Sequence, residues 1–307
     1  MQKILISGYT GFIGSNLLKK LSDNDLYGVD IYQNNSVSKH FRWEELEQCK
    51  NQDSIIHLAG KAHDTENSTS KQEYFDINFG LTQKIFDLFL ASSATKFIFF
   101  SSVKAVTDSV NVEILTEDSL CNPKTAYGQS KLAAEQYILS KPLMNNKKVY
   151  ILRPCMIHGP GNKGNLNLLY GLQLKGLPWP LGAFENKRSF CSIDNILFVV
   201  QQLIDRNIEP GIYQVADDEA LSTNELVSLM ALSQNKKIKI WKIPVSLIKA
   251  IARLNDFFHL PLNSERLRKL SESYLVSNQK IKDALGLEKM PVSAINGLQK
   301  TFESFKK

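Results

Sequence analysis

The chain has 307 residues, 43% of them apolar and 22% charged, with a net charge of +6. That profile belongs to a globular protein, one large α/β unit or two joined domains. It excludes a membrane-spanning chain, because no run approaches the roughly 18 apolar residues such a helix needs, and the scattered lysines come with no nucleic-acid-binding motif.

The N-terminus has no apolar region or cleavage site of a secretory signal. Residues 3–7 read as a buried strand, followed by a Gly-rich turn and a helix over 12–21 with Ile13, Leu17, Leu18 and Leu21 on one face. Leu26 to Ile31 reads as a second strand containing Asp30, and Ser54 to Leu58 as a third. A long amphipathic helix is predicted over 72–92, with Phe75, Phe79, Ile85, Phe86, Phe89 and Leu90 as its apolar set. Phe97–Phe100 is a short apolar strand, a helix starts near Ala126, and Val149–Leu152 is another strand. This alternation predicts a doubly wound parallel α/β sheet of Rossmann type.

The pattern weakens after residue 160, where Gly and Pro cluster. The expected division is a dinucleotide-binding domain over 1–160, also receiving segments near 190–218, and a smaller C-terminal α/β substrate lobe over 161–307. Lys236 to Lys242 reads as an exposed strand. The stretch 244–262, with Ile248, Ile251, Leu254, Phe257 and Phe258, reads as a lobe helix burying its apolar face rather than as a membrane contact. Cys49, Cys121, Cys155 and Cys191 form no C-x-x-C pair. They read as free thiols in a reducing cytosol, and no metal site is expected.

The turn Gly8-Tyr9-Thr10-Gly11-Phe12-Ile13-Gly14 carries the first chemical signal. Glycines let the backbone approach a pyrophosphate, and a helix N-terminus offers free N–H groups and partial positive charge. Asp30, ending the next strand, accepts hydrogen bonds from adenosine ribose hydroxyls and repels a 2′-phosphate, which favours NAD over NADP. The second signal is Tyr127-Gly-Gln-Ser-Lys131. Residues i and i+4 share a helix face. A cation near the phenol lowers its pKa from about 10 and makes it an acid/base for an alcohol or ketone.

Together with His57-Leu-Ala-Gly60, Asn78, Phe100-Ser-Ser-Val-Lys104, Arg153-Pro154, His158-Gly-Pro160 and Arg188-Ser-Phe190, these motifs resemble the extended short-chain dehydrogenase/reductase family of nucleotide-sugar enzymes, the UDP-glucose 4-epimerases among them. The resemblance covers nearly the whole chain. It implies a catalytic set of Ser102, Tyr127 and Lys131. It implies a cofactor groove of Gly8, Thr10, Gly11, Phe12, Ile13, Gly14, Asp30, Ile31, Leu58, Ala59, Gly60, Asn78 and Lys131. It implies substrate contacts from Ser102, Lys104, Asn165, Leu166, Arg188 and Arg266, with Arg188 on the diphosphate. His57 and His158 are expected to be structural. It also implies a homodimer built from the 72–92 helix and the helix after Tyr127.

The resulting expectation is an NAD-dependent UDP-sugar 4-epimerase that oxidises C4 of the hexose transiently. The alternative is an NAD(P)H-dependent 4-keto reductase of a UDP-4-keto-6-deoxy-amino sugar in surface-polysaccharide synthesis. Ala105-Val106-Thr107 replaces the family's Val-Tyr-Gly, and Lys104 replaces a smaller or acidic residue, which leaves sugar and reaction open. A non-catalytic dinucleotide sensor is a third reading, opposed by the intact Ser102, Tyr127 and Lys131.

Overall fold

Successive side chains of a strand point to opposite faces, so an unbroken apolar strand needs cover on both. Strand β1 (Lys3–Ser7) sends Ile4 and Ile6 to one face and Leu5 to the other. The computed structural model, which describes residues 1–62, 69–109, 113–144, 146–162, 164–258 and 263–306, supplies that cover with two layers of helices.

The main sheet contains β1, β2 (Asp25–Val29), β3 (Lys39–Phe41), β4 (Ser54–His57), β5 (Lys96–Phe100), β6 (Lys148–Pro154) and β9 (Gly211–Val215). Their order is β3-β2-β1-β4-β5-β6-β9, and every pairing is parallel. Ile98 and Phe100 of β5 join the core beneath α1 (Phe12–Lys20) and α6 (Ile193–Asp205). Phe97 and Phe99 face the opposite core, against α3 (Leu81–Ala91) and α4 (Ala126–Ser140). Phe86 and Phe97 meet edge-on with centroids 5.0 Å apart, a geometry aromatic quadrupoles favour.

A smaller sheet, in the order β10-β8-β7, joins β7 (Met156–His158), β8 (Arg188–Ser192) and β10 (Ala220–Leu221). Beside it α5 (Asn165–Leu174), α7 (Thr223–Ser233), α8 (Val245–Phe258), α9 (Ser264–Ser271) and α11 (Ala294–Ser304) enclose a separate apolar core. The chain crosses between the two assemblies more than once, because α6 and β9 lie between β8 and β10 in sequence.

Three sequence expectations change. The 72–92 helix is interrupted: α2 (Lys71–Tyr74) passes into a wide π turn, Phe75–Gly80, before α3. The wider turn brings Asn78 inward, fully buried, where its amide accepts from Lys61 N at 2.7 Å and donates to Lys61 O at 3.1 Å and Ser130 Oγ at 3.0 Å. Lys236–Lys242 is no strand; Ile240 and Lys242 make isolated bridges to Trp179 and Leu181. Helix α8 buries Ile248 and Ala252 but leaves Ile251 and Leu254 exposed, so its apolar face is only half covered. Residues 259–262 of that stretch, and the side chains of Phe257 and Phe258, lie outside the described residues.

Beneath the strand ends runs a buried ionic link. Arg153, on β6, donates to Glu135 of α4 through Nε at 3.0 and 3.2 Å and through Nη2 at 2.5 Å. Ser101 Oγ donates to the same carboxylate. Burial opposes the guanidinium charge, and pairing with Glu135 overcomes that, holding its pKa above the ordinary value. Removing one partner of a buried pair strands the other charge and costs about 3–5 kcal/mol. Glu135→Ala is therefore expected to lose about that much in urea unfolding, and a Glu135→Met/Arg153→Met double variant to recover most of it.

Candidate active site

In a parallel α/β sheet, ligands bind beyond the carboxyl ends of the strands, where the winding direction reverses. Here the reversal lies between β1 and β4. Gly8 leaves β1 with φ +71°, and a Cβ there would meet Ala59 N at 2.6 Å. A Cβ on Gly14 would strike Gly8 O at 2.5 Å. The turn is thus folded tightly against Ala59, and α1 begins at Gly11 with no side-chain cap on its first N–H groups. A bare helix N-terminus behind a turn that admits no Cβ suits a pyrophosphate, so the residues present fit a dinucleotide.

Asp30 lies just past β2, nearly buried. Its Oδ2 accepts from Thr10 N at 3.0 Å and Thr10 Oγ1 at 2.8 Å, and its Oδ1 accepts from Ile31 N at 2.7 Å. The carboxylate therefore shapes the glycine turn itself, a role the sequence did not suggest. Ile31 projects outward. Phe12, Ile13 and Leu58 pack partly against the core, and Gly60 lies exposed beside Asn78 and Lys131.

The catalytic candidates gather where β5 ends. Ser102 caps a short 3₁₀ turn, Val103–Ala105, accepting from Lys104 N at 3.2 Å. Thr125 caps α4, accepting from Gly128 N at 3.2 Å. Asp108 binds these two pieces together. Its carboxylate accepts from Lys124 N, Thr125 N and Thr125 Oγ1, while its carbonyl accepts from Lys104 Nζ at 2.8 Å. Gly128 makes the approach possible, since a Cβ would meet Lys104 O at 2.4 Å.

Tyr127 and Lys131 project from α4 as the i, i+4 spacing requires. Burial raises the Tyr127 pKa, a hydrogen bond with Ser102 lowers it, and Tyr74 raises it slightly. Ser102, rather than Lys131, is the group that favours the phenolate in this geometry. The reason is the direction of the Lys131 ammonium, which donates to Phe100 O at 2.8 Å and lies over the Phe99 ring. Burial pulls Lys131 down to about 8, partly offset by the charge of Glu135. His57 is fully buried between Ser7 Oγ and Thr82 Oγ1, and burial followed by the charge of Lys131 depresses its pKa. His158 is held by Thr301 and Asp217 inside the protein. Both histidines have structural surroundings.

Among the residues expected to contact substrate, Lys104 lies 4.1 Å from the Tyr274 ring centroid, and burial lowers it to about 8, with Asp108 opposing and Arg188 adding to the fall. Arg188 donates from Nη1 to Lys269 O, and burial lowers its pKa. Arg268 and Arg266, two residues apart in α9, are both exposed, and of the two the charge of Arg268 reaches Lys104. Arg268 and Tyr274 were absent from the sequence prediction; nothing in their spacing marks them. Glu135 was also absent, although it continues the i+4 series of Tyr127 and Lys131. Leu166 lies in the lobe core, so only its backbone can contact a ligand. Asn165 opens α5, and its side chain lies outside the described residues.

The depressed Lys131 has a thermodynamic signature. Its ordinary value is 10.5 and its folded value about 8, so between those pH values the unfolded chain holds a proton the folded protein has released. Stability from this group is lowest below about pH 8 and rises through that window. Lys131→Met is expected to match or exceed the parent in unfolding free energy at pH 7 and to lose that advantage by pH 9.5, measured by paired urea titrations.

A family model described as the NAD dependent epimerase/dehydratase family matches residues 4–216. The UDP-glucose 4-epimerase of Vibrio cholerae is 29% identical, over 99% of this chain and 95% of that protein. The GDP-6-deoxy-D-mannose reductase of Pseudomonas aeruginosa is 23% identical, over 82% and 86% respectively. The crystal structure of UDP-N-acetylglucosamine 4-epimerase from Bacillus cereus shares the fold at a TM-score of 0.78, with 19% identity across the whole of both chains. With that match spanning the glycine turn, Ser102, Tyr127 and Lys131, the chain belongs to the NAD dependent epimerase/dehydratase family of enzymes.

Proposed function

We propose that the protein is an NAD-dependent UDP-sugar 4-epimerase that oxidises C4 of the hexose transiently and returns it with the opposite configuration. The observation that carries this reading is the convergence of Ser102, Tyr127 and Lys131 at the end of β5, next to the glycine turn after β1. Likeness along the whole chain to the Vibrio cholerae UDP-glucose 4-epimerase supports it.

NAD would supply the acceptor and then the donor of hydride, held by Gly8, Gly11, Gly14 and the N-terminus of α1, with Asp30 and Lys131 toward its two riboses. Tyr127 takes the proton of the 4-hydroxyl, and Ser102 hydrogen-bonds the same oxygen. Ser102 also favours the negative charge that develops on Tyr127. Arg188, Lys104 and Arg268 hold the diphosphate end while the oxidised hexose turns its other face. Those three cations support a sugar nucleotide rather than an uncharged sugar as the substrate. The four free thiols support a reducing cytosolic setting.

A 4-keto reductase is the second reading, favoured by Lys104 after Ser102-Val103 and by likeness to the Pseudomonas aeruginosa reductase. Purified protein given UDP-glucose or UDP-N-acetylglucosamine without reductant should form the 4-epimer. No isomer, together with NAD(P)H oxidation on a 4-keto sugar nucleotide, would establish the reductase instead. Tyr127→Phe should lower turnover by about 10²–10⁴-fold while the fold is retained; unchanged turnover would remove Tyr127 from the chemistry. We also propose a homodimer through α3 and α4, which a monomeric mass by light scattering would disprove.

A further inference from the structure

Basic residues are scattered along the chain, but most of the net positive charge falls in one segment. Between residues 236 and 256 stand Lys236, Lys237, Lys239, Lys242, Lys249 and Arg253, against Asp256 alone, and all seven are exposed. The rest of the chain is nearly neutral, since the whole carries only +6. Among the described residues none of the six cations is in a salt bridge.

The same segment carries an apolar stripe that the fold does not cover. Helix α8 turns Ile248 and Ala252 into the lobe core. Leu247, Ile251 and Leu254 follow the i, i+4, i+7 spacing of a second stripe, about 100° around the helix from the first. They are 51%, 40% and 61% exposed. Trp241 adds an indole 52% exposed, on a segment held by backbone hydrogen bonds between Trp179 and Trp241 and from Gly182 to Trp241. The indole is thus presented from a fixed backbone.

We infer that this face of α8, with Trp241, docks on an anionic phospholipid surface. Leucines and isoleucine enter the headgroup boundary and tryptophan sits at the interface, while Lys249 and Arg253, on the polar side of the helix away from that stripe, and the lysines that precede α8 supply attraction to lipid phosphates. With 14 residues the helix reaches about 21 Å and cannot cross a bilayer of about 30 Å, so the attachment is peripheral. A second copy of the chain is the poorer occupant, because a two-fold contact would set the six cations of one copy against those of the other. The docked face belongs to the lobe that carries Arg268, since α8 packs on α9. The inference does not depend on which sugar is turned over.

Flotation with liposomes tests it. The intact protein should rise with vesicles of phosphatidylcholine and phosphatidylglycerol, stay behind with phosphatidylcholine alone, and bind less as salt increases. Leu247→Ser/Leu254→Ser and Lys249→Glu/Arg253→Glu should each weaken partitioning by about tenfold or more, while circular dichroism and turnover of a water-soluble sugar nucleotide stay at parental values. Trp241 emission, isolated by comparison with Trp241→Phe, should shift to the blue only with anionic vesicles. Failure of the intact protein to float, or flotation unchanged in both double variants, would overturn the inference. So would light scattering that shows a dimer lost in Leu247→Ser/Leu254→Ser with no vesicle binding by the parent.

Discussion

An ammonium group deprived of water must find oxygen in the protein, and Lys131 finds it in the carbonyl of Phe100, 2.8 Å away. Phe100 is the last residue of β5, so the bond ties Lys131 to the carboxyl end of that strand. It fixes the distance between α4 and the strand, and with it the place of Tyr127 one turn earlier. Desolvation alone favours the neutral amine, so the lysine stays near its charging point instead of far above it.

The surrounding contacts serve to hold α4 against β5. Glu135 and Arg153 pin the middle of the helix to β6, and Asp108 pins its first turn to the 3₁₀ turn that follows Ser102. The aromatic packing of Phe86, Phe89 and Phe97 fills the same layer. Apolar burial of this kind supplies most of the stability, at roughly 25 cal/mol per Å². The ionic links contribute position more than energy, because a buried ion pair returns little beyond its own desolvation cost.

Much of this was legible along the chain. The five apolar strands read up to Leu152 and the helices at 12–21 and from Ala126 correspond to observed elements within a few residues, whereas β3 was not read and the 72–92 helix is interrupted. The glycine turn and the Tyr127/Lys131 spacing are local, and local spacing survives folding. Three kinds of feature were not legible. The π turn at Phe75–Gly80 depends on Asn78 reaching Lys61 and Ser130, 17 and 52 residues away. Strands β7 to β10 are short, and their partners come from distant parts of the chain. Arg268 and Tyr274 carry no local pattern that separates them from their neighbours.

The sequence by itself determined the class of fold, the glycine turn and the i, i+4 relation of the phenol and ammonium, because each is a local property of the chain. Only the tertiary structure decided what those groups face. It set Ser102 where it favours the Tyr127 phenolate and turned Lys131 toward Phe100. It made Asp30 the brace of the glycine turn, and it left one stripe of α8 in water. Such relations arise between residues far apart in the chain, where solvent exclusion and the local field are properties of the assembled protein.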